Sequence, residues 1–500
     1  MRHHFFPAAV LLAGVLAAHL LFSVLVYFSN VSLYQNLITI KNSGYVIVPN
    51  EFVLPTLQSI KPALCGGLFF ALTTGAGLTL ITFLIVSGWR RYSNQYWLLS
   101  SLFLVATVFF TIKFSYNIPV TLVCISTVGA VIFAVLKFFP DSDGAGYPIF
   151  RMFSGHLVVI VLIILIWMPR ISSDVFVSIR DNLLLSNPIG EKINNFYYKY
   201  TLYPAETFKS LDQKLLKSCR IKVVNNKNLY QQIEQRMIAQ DYLAVDEKFD
   251  ADLIIDYDNN TLVFRHQGKA IHHCSSDKFL SGSKKILELI SEKIDHNKFL
   301  RKITFLSLIS ASPLICYIFL HALFMAGLFF VESNTLRFAG ASTVCLLMFT
   351  LPAISFYHQP AGSLDDTKLG KYLKSDIWQD RVAALKAISD QNLRIERYIE
   401  PDQLDRLIQG PLIAERYWLA KTLGSSRSPE SYQLILRLLD DPQPNVVCMA
   451  MYSLGKQNHF KAPDEIATTE IIRRIKSSEH WYVQWYAYKA LKRLGWTQEK

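Results

Sequence analysis

The chain has 500 residues, room for two to four domains, and 51% of them are apolar. That share averages two unlike populations: 1–169 and 303–357 are greasy, whereas 170–302 and 362–500 have the composition of soluble protein. The 51 basic and 39 acidic residues give a net charge of +12; no Arg/Lys run is interleaved with aromatics, so the excess argues for basic flanks at membrane headgroups rather than for nucleic acid.

From the N-terminus, Met1-Arg2-His3-His4 precedes a long apolar run starting at Phe5. It resembles a signal sequence, but no small-x-small cleavage site stands before Ser29-Asn30, so an uncleaved anchor is expected. Six more apolar stretches follow. The seven (5–28, 63–88, 96–112, 118–139, 149–168, 303–331 and 338–356) approach or exceed the ~18–20 residues that cross a hydrocarbon core as helix. The link 30–62, with Tyr45-Val46-Ile47-Val48-Pro49, is too mixed to cross and is expected as a short strand or an interfacial cap over the bundle. Gly66-Gly67 and Gly75-x-Gly77 allow close helix approach.

Two spans separate the soluble regions, so both lie on the same side if each span crosses fully. Short loops on one face carry Arg2, Arg90, Arg91, Lys137, Arg151 and Arg337; those opposite carry Lys41, Lys61 and Lys113. This bias places the N-terminus in the cytoplasm of a bacterial-type inner membrane and both soluble regions on the outer face. Arg170, Arg301, Lys302, Lys368, Lys371 and Lys374 pull the other way, but long domains translocate largely regardless of charge. Span interiors lack acidic and basic residues, which counts against an ion-coupled transporter. His19, His156 and His321 fall in or near spans; haem ligation is one reading and polar helix contacts the plainer one, because no two share a span.

In the middle region, helical stretches at 193–200 and 205–216 lead into a strand at 220–224, a helix at 228–239 and a strand at 252–257. A second strand at 261–266 follows across an Asp258-Asn259-Asn260 turn, and an amphipathic helix at 281–294 closes the region. The order implies a small α/β (α+β) domain. Tyr242-Leu-Ala-Val-Asp246 and Ala251-Asp-Leu-Ile-Ile-Asp256-Tyr-Asp258 resemble a pattern in small cell-envelope domains of bacterial lipoproteins, which implies a binding module. Asp256-x-Asp258-x-Asn260 starts like a calcium loop but has Thr261 where Gly is needed and Gln267 where Glu belongs. Adjacent His272 and His273, beside Cys274, point to opposite faces of a strand and do not chelate one ion readily. Cys219 and Cys274 are the two cysteines of this region, either a disulfide or two buried thiols. No nucleophile elbow, His-Glu-x-x-His or P-loop is present, so no catalytic, cofactor-binding or metal-ligating residue is assigned.

The tail repeats. Segments 381–389, 416–424, 447–455 and 484–492 align Ile388, Leu423, Leu454 and Leu491, with Ala384, Leu419, Ala450 and Ala487 one turn earlier. Partner helices are expected at 367–373, 401–408, 429–439 and 463–475. The run from Tyr432 through Asp441, Val446, Ala450 and Leu454 to Gly455 resembles HEAT repeats of the phycobilisome-lyase-like type over about 364–500. The resemblance implies an α-solenoid that binds another protein; lyase chemistry does not follow from a shared fold. The arginine usual after the helix-opening valine is present as Arg381 and Arg416 but replaced by Val447 and Gln484. Trp481, Tyr482, Trp485 and Tyr486 form an aromatic set that suits a cap on the previous unit, a partner-binding surface or an interfacial belt, in that order.

The expected whole is a multi-pass α-helical membrane protein with about seven spans, a small α/β domain and a C-terminal all-α HEAT-type solenoid. Its expected work is that of a scaffold touching the lipid bilayer and a partner protein, not nucleic acid. A transport or channel component and a membrane haem protein are the alternatives.

Overall fold

A computed structural model describes residues 2–115, 117–138, 149–170, 174–222, 226–258, 261–357, 364–426, 428–457 and 465–499. The first helix, α1 (Arg2–Asn42), runs unbroken through the stretch expected as an anchor and well into the mixed link. Polar Asn30, Asn36 and Thr39 do not stop it, since nothing from 30 to 42 is Gly or Pro. The remaining link, 43–59, contains no strand; a 3₁₀ turn at Leu54–Gln58 precedes α2 (Ile60–Phe70). A π-helical turn at Ala71–Gly75 leads into α3 (Ala76–Tyr92). Next come α4 (Tyr96–Ser115), α5 (Ile118–Phe138) and α6 (Ile149–Trp167).

Helix α1 is the axis of this bundle, touching α2, α3 and α5. The small residues permit it: a Cβ at Gly67 would lie 2.8 Å from the backbone nitrogen of Ser23, and one at Gly75 2.6 Å from Cβ of Ala18. At the other end of the bundle, Arg90 donates to the carbonyls of Val135 (2.8 Å) and Leu136 (2.5 Å), satisfying orphan acceptors near the end of α5.

After α6, α7 (Val175–Ile179), a π-turn at Arg180–Leu184, α8 (Pro188–Tyr200) and α9 (Leu202–Ala205) form an irregular helical strap. Asn187 caps α8, accepting from the N–H of Gly190, with Pro188 in the first turn, where its missing N–H costs nothing. The sheet follows: β1 (Lys217–Ile221), α10 (Lys227–Ala239), β2 (Tyr242–Ala244), β3 (Leu253–Asp258), β4 (Thr261–His266), β5 (Lys269–Ser275) and α11 (Ser276–Ile294). Strand order is β2-β1-β3-β4-β5, parallel across β2, β1 and β3 and antiparallel beyond. Strands β2 and β5 are additions to the expected order, and residues 259–260 of the expected turn lie outside the described residues. Ile233 and Met237 of α10 and Phe279, Ile286 and Ile290 of α11 bury the sheet core.

Cys219 on β1 and Cys274 on β5 are both buried free thiols. Two strands stand between them, which at ~4.8 Å per step separates them by about 14 Å. A disulfide needs Cα atoms within ~7 Å, so the bonded alternative is corrected to two thiols that fill the core.

The expected sixth stretch is two helices, α12 (Lys298–Ile309) and α13 (Ala311–Gly327), broken at Ser310. Helix α14 (Asn334–Tyr357) is the last apolar helix. Among the described residues, six helical segments are long and apolar enough to cross a membrane, and a shorter apolar segment covers Gly155–Trp167.

The tail is four helix pairs: α15 (Asp366–Leu373) with α16 (Trp378–Asp390), α17 (Pro401–Gln409) with α18 (Ile413–Leu423), α19 (Pro429–Leu438) with α20 (Pro444–Lys456), and α21 (Glu465–Ser477) with α22 (Trp481–Arg493). The second helices stack in sequence, and all eight aligned positions from Ala384 to Leu491 are buried. A Cβ on Gly455 would lie 2.8 Å from Cα of Ala490, so neighbouring second helices meet backbone to backbone there.

Candidate interaction groove

The row of second helices, α16, α18, α20 and α22, lines one face of the solenoid. In a HEAT array such a face is where another chain would lie. Here the strap from Asp174 to Tyr200 occupies it, meeting one repeat after another. Asp174 accepts from Nζ of Lys386 on α16 at 2.6 Å. Asp181 accepts from the indole N–H of Trp418 on α18 at 2.7 Å. Glu191 accepts from Nε2 of Gln443 at 2.6 Å, and Asn194 from Nδ2 of Asn445 on α20 at 3.3 Å. The carbonyl of Tyr198 accepts from the indole N–H of Trp481 on α22 at 2.9 Å, while its ring packs 4.5 Å from that of Tyr482. Strap and solenoid therefore advance in the same order.

The second rung, Asp181 with Trp418, is deeply buried. Arg180 donates through Nε to Asp181 at 2.9 Å, and its guanidinium lies 3.9 Å over the ring of Tyr417. Asp181 is 2% exposed, and burial pushes its carboxyl above the usual range against the opposing pull of Arg180 and Trp418. Arg180, only partly buried, is held above its ordinary value: Tyr417 and Asp181 outweigh the desolvation that would lower it. A buried ion pair of this kind contributes little net stability while both partners remain, and its loss of one partner is costly.

The repeat position that varies in sequence explains the solenoid's ends. Arg381 donates to the carbonyl of Ser375 at 2.6 Å and to Glu415 of the next repeat at 2.7 Å. Arg416 donates likewise to Gly410 at 2.5 Å and to Asp441 at 2.7 Å. Gln484, at the same position of the last repeat, keeps the carbonyl bond, to Ser478 at 2.7 Å. Where the two arginines reach an acidic side chain of the next repeat, Gln484 instead accepts the N–H of Asn50 on its Oε1 at 2.7 Å. Asn50 in turn donates its amide to the carbonyls of Ile475 (2.9 Å) and Ser478 (2.9 Å), at and just beyond the end of α21. Gln498 pairs with both backbone groups of Val46, at 2.8 and 2.9 Å. The link 43–59 is thus a cap, on the solenoid rather than on the bundle alone. The α/β domain closes the same end, where Asp241 accepts from Tyr488 at 2.7 Å and pairs with Lys492 at 3.0 Å.

Trp481, Tyr482, Trp485 and Tyr486 are packed within the chain and do not form an open surface. Trp481 is 7% exposed; Trp485 stacks parallel to Tyr482 at 6.0 Å, with the Lys489 ammonium 3.7 Å from its ring, and Tyr486 meets Tyr482 edge-on at 5.1 Å. The partner-surface reading of this set is corrected: what the cluster receives is Tyr198 of its own strap. Sequence reasoning assigned nothing to Arg180, Asp181, Glu191 or Asn194. The one available signal was the Asn187-Pro188 start of α8 with polar Glu191 and Asn194 along one of its faces.

His156 and His321 do come together, with ring centroids 4.5 Å apart, beside Phe338. His156 Nδ1 is 2.9 Å from the hydroxyl of Tyr317 and His321 Nε2 is 3.2 Å from Oγ of Ser342. Rings in direct contact leave no gap for a macrocycle between them, and His19 sits on a third helix, α1. Among the described residues no group of three or more His, Cys, Asp or Glu could hold a metal ion.

A family of HEAT repeats matches residues 400–492, which span the last three helix pairs. No curated protein and no solved structure matches the chain. The match is to HEAT repeats as a class, modules associated with protein–protein interaction, and helices α15 and α16 extend the same stack by one pair.

Proposed function

We propose that the chain is an integral membrane scaffold of a bacterial-type inner membrane, whose HEAT solenoid, fixed to the membrane domain by its own strap, presents a partner-binding face on the outer side. The carrying observation is the occupied groove: an interaction module held rung by rung on the strap cannot roam, so whatever binds it is held at a set position above the apolar helices. Alternating passage through seven spans supports the membrane placement. It puts the 43–59 link, the turn at Asn117, the strap, the α/β domain and the solenoid on one side. Contacts such as Asn50 to Gln484 and Asn36 to Asp252 (3.0 Å) join groups that this count assigns to the same side. Arg90 and the carbonyls it caps fall on the other. The short-loop charge bias supports an outward orientation.

With the groove filled, the partner's face is the row of first helices, α17, α19 and α21, where Glu430, Gln433 and Arg473 are exposed. The test is in-membrane cross-linking of the full chain against a variant carrying Glu430→Lys, Gln433→Glu and Arg473→Glu. A specific partner that is captured by the wild type and lost in the variant, with unchanged melting, fits the scaffold. A partner list indifferent to these changes contradicts it.

A further inference from the structure

Helix α8 has two unlike faces. Glu191, Asn194 and the Tyr198 carbonyl serve the solenoid. On the other side Ile189, Ile193, Phe196 and Tyr197 are 73%, 54%, 45% and 50% exposed. Their spacing of four, three and one residues makes a single apolar stripe along the helix. Lys192 and Lys199 are exposed beside it. A stripe of four large apolar side chains on an otherwise polar helix marks a contact surface.

The position of the helix says which contact. The strap leaves α6 at Trp167, whose indole donates to the carbonyl of Phe349 on α14 at 2.9 Å, and the Arg180–Leu184 turn touches α14 again. The other end of α8 touches α2, and just beyond it Tyr203 and Pro204 sit against Gly66 of α2. The 13 residues of α8, about 20 Å long, therefore lie across the ends of the apolar helices, with the solenoid on one face. The opposite face carries the exposed apolar stripe.

We propose that α8 is an interfacial helix: its Ile189–Ile193–Phe196–Tyr197 stripe is immersed at the headgroup–acyl boundary of the bilayer, with Lys192 and Lys199 reaching the phosphates of anionic lipids. The solenoid is then seated on the membrane surface through a helix that binds protein with one face and lipid with the other. This inference rests on the membrane placement proposed above.

The test uses the full chain in vesicles of phosphatidylcholine and phosphatidylglycerol, with the photoreactive analogue p-benzoylphenylalanine in place of Phe196. A second protein carries it in place of Phe109, which is 61% exposed on α4. Lipid adducts at both positions are expected, and Lys192→Glu with Lys199→Glu should lower the yield at 196 several-fold in the mixed vesicles but not in pure phosphatidylcholine. Adducts at 109 without adducts at 196, or a cross-link from 196 to a second copy of the chain, overturn the interfacial helix alone. Absence of lipid adducts at both positions overturns the membrane placement as well.

Discussion

Asp181 and Trp418 show what single side chains contribute to holding the solenoid in place. The indole N–H satisfies a carboxylate with almost no access to water, so Trp418→Phe leaves Asp181 one donor short. Losing a hydrogen bond to a buried charged group costs about 1.5–3 kcal/mol. The expected outcome is a lower melting temperature for the full chain and earlier proteolytic release of the solenoid. His480 supplies a pH dependence. Its Nδ1 caps α22 by accepting the N–H of Tyr482 at 3.3 Å, and burial, with Lys199 nearby, lowers its pKa to about 4. Folding therefore favours the neutral ring. The stabilisation is complete above the unfolded value of about 6.5 and is lost as pH falls toward 4, amounting to no more than about 3 kcal/mol for this partly exposed group. Melting curves across that range should fall with pH in the wild type and fall less in His480→Asn, which keeps a capping acceptor. At this scale the sequence was partly legible. The buried Ala and Leu positions of the repeats could be read from their period. Gln484 looked like a departure, because its partner, Asn50, lies 434 residues away and no local pattern carries that pairing.

Among elements, the helix pairs of the tail were readable because each has its own period, and Pro429 and Pro444 mark helix starts. The strap was not. Its role depends on contacts with four separate repeats, and apart from α8, whose second half was expected as helix, its helices are too short and irregular to show a period. The long α1 was missed in its second half for a similar reason: polar residues that suggest a loop are accommodated there by the link, the strap and the α/β domain. Asp252 is one of these supports, accepting from Asn36, from the Ser218 N–H and from Lys214. Burial raises the pKa of its carboxyl, and these partners, Lys214 foremost, bring it below the usual range. The element-scale prediction concerns the groove. A soluble peptide of residues 174–200 should bind the full chain only weakly, since the site is filled in cis. Once the chain is cleaved between α6 and α7 and the strap's rungs are weakened by Asp181→Ala and Asn194→Ala, the peptide should bind measurably. Fluorescence anisotropy of a labelled peptide reads both states, and equal binding to intact and cleaved protein would contradict a groove occupied by its own chain.

The whole molecule is arranged so that segments distant in sequence close on one another. The N-terminal helix ends in a link that caps the C-terminal repeat, and the strap ties every repeat to the ends of the apolar helices. The broad division into greasy bundle, small α/β sheet and helical tail was visible from composition and periodicity. How the parts engage was not, because burial at their junctions uses single polar residues instead of runs. The central claim, a solenoid seated on the outer face of a membrane domain, is tested most directly by paired reporters fused after Lys500 and inserted between Ser93 and Asn94, one active only outside the inner membrane and one fluorescent only inside. An outside signal after Lys500 with an inside signal at 93–94 is predicted. The reverse pair would place the solenoid in the cytoplasm, and the same signal at both sites would contradict the alternating passage on which its seating depends.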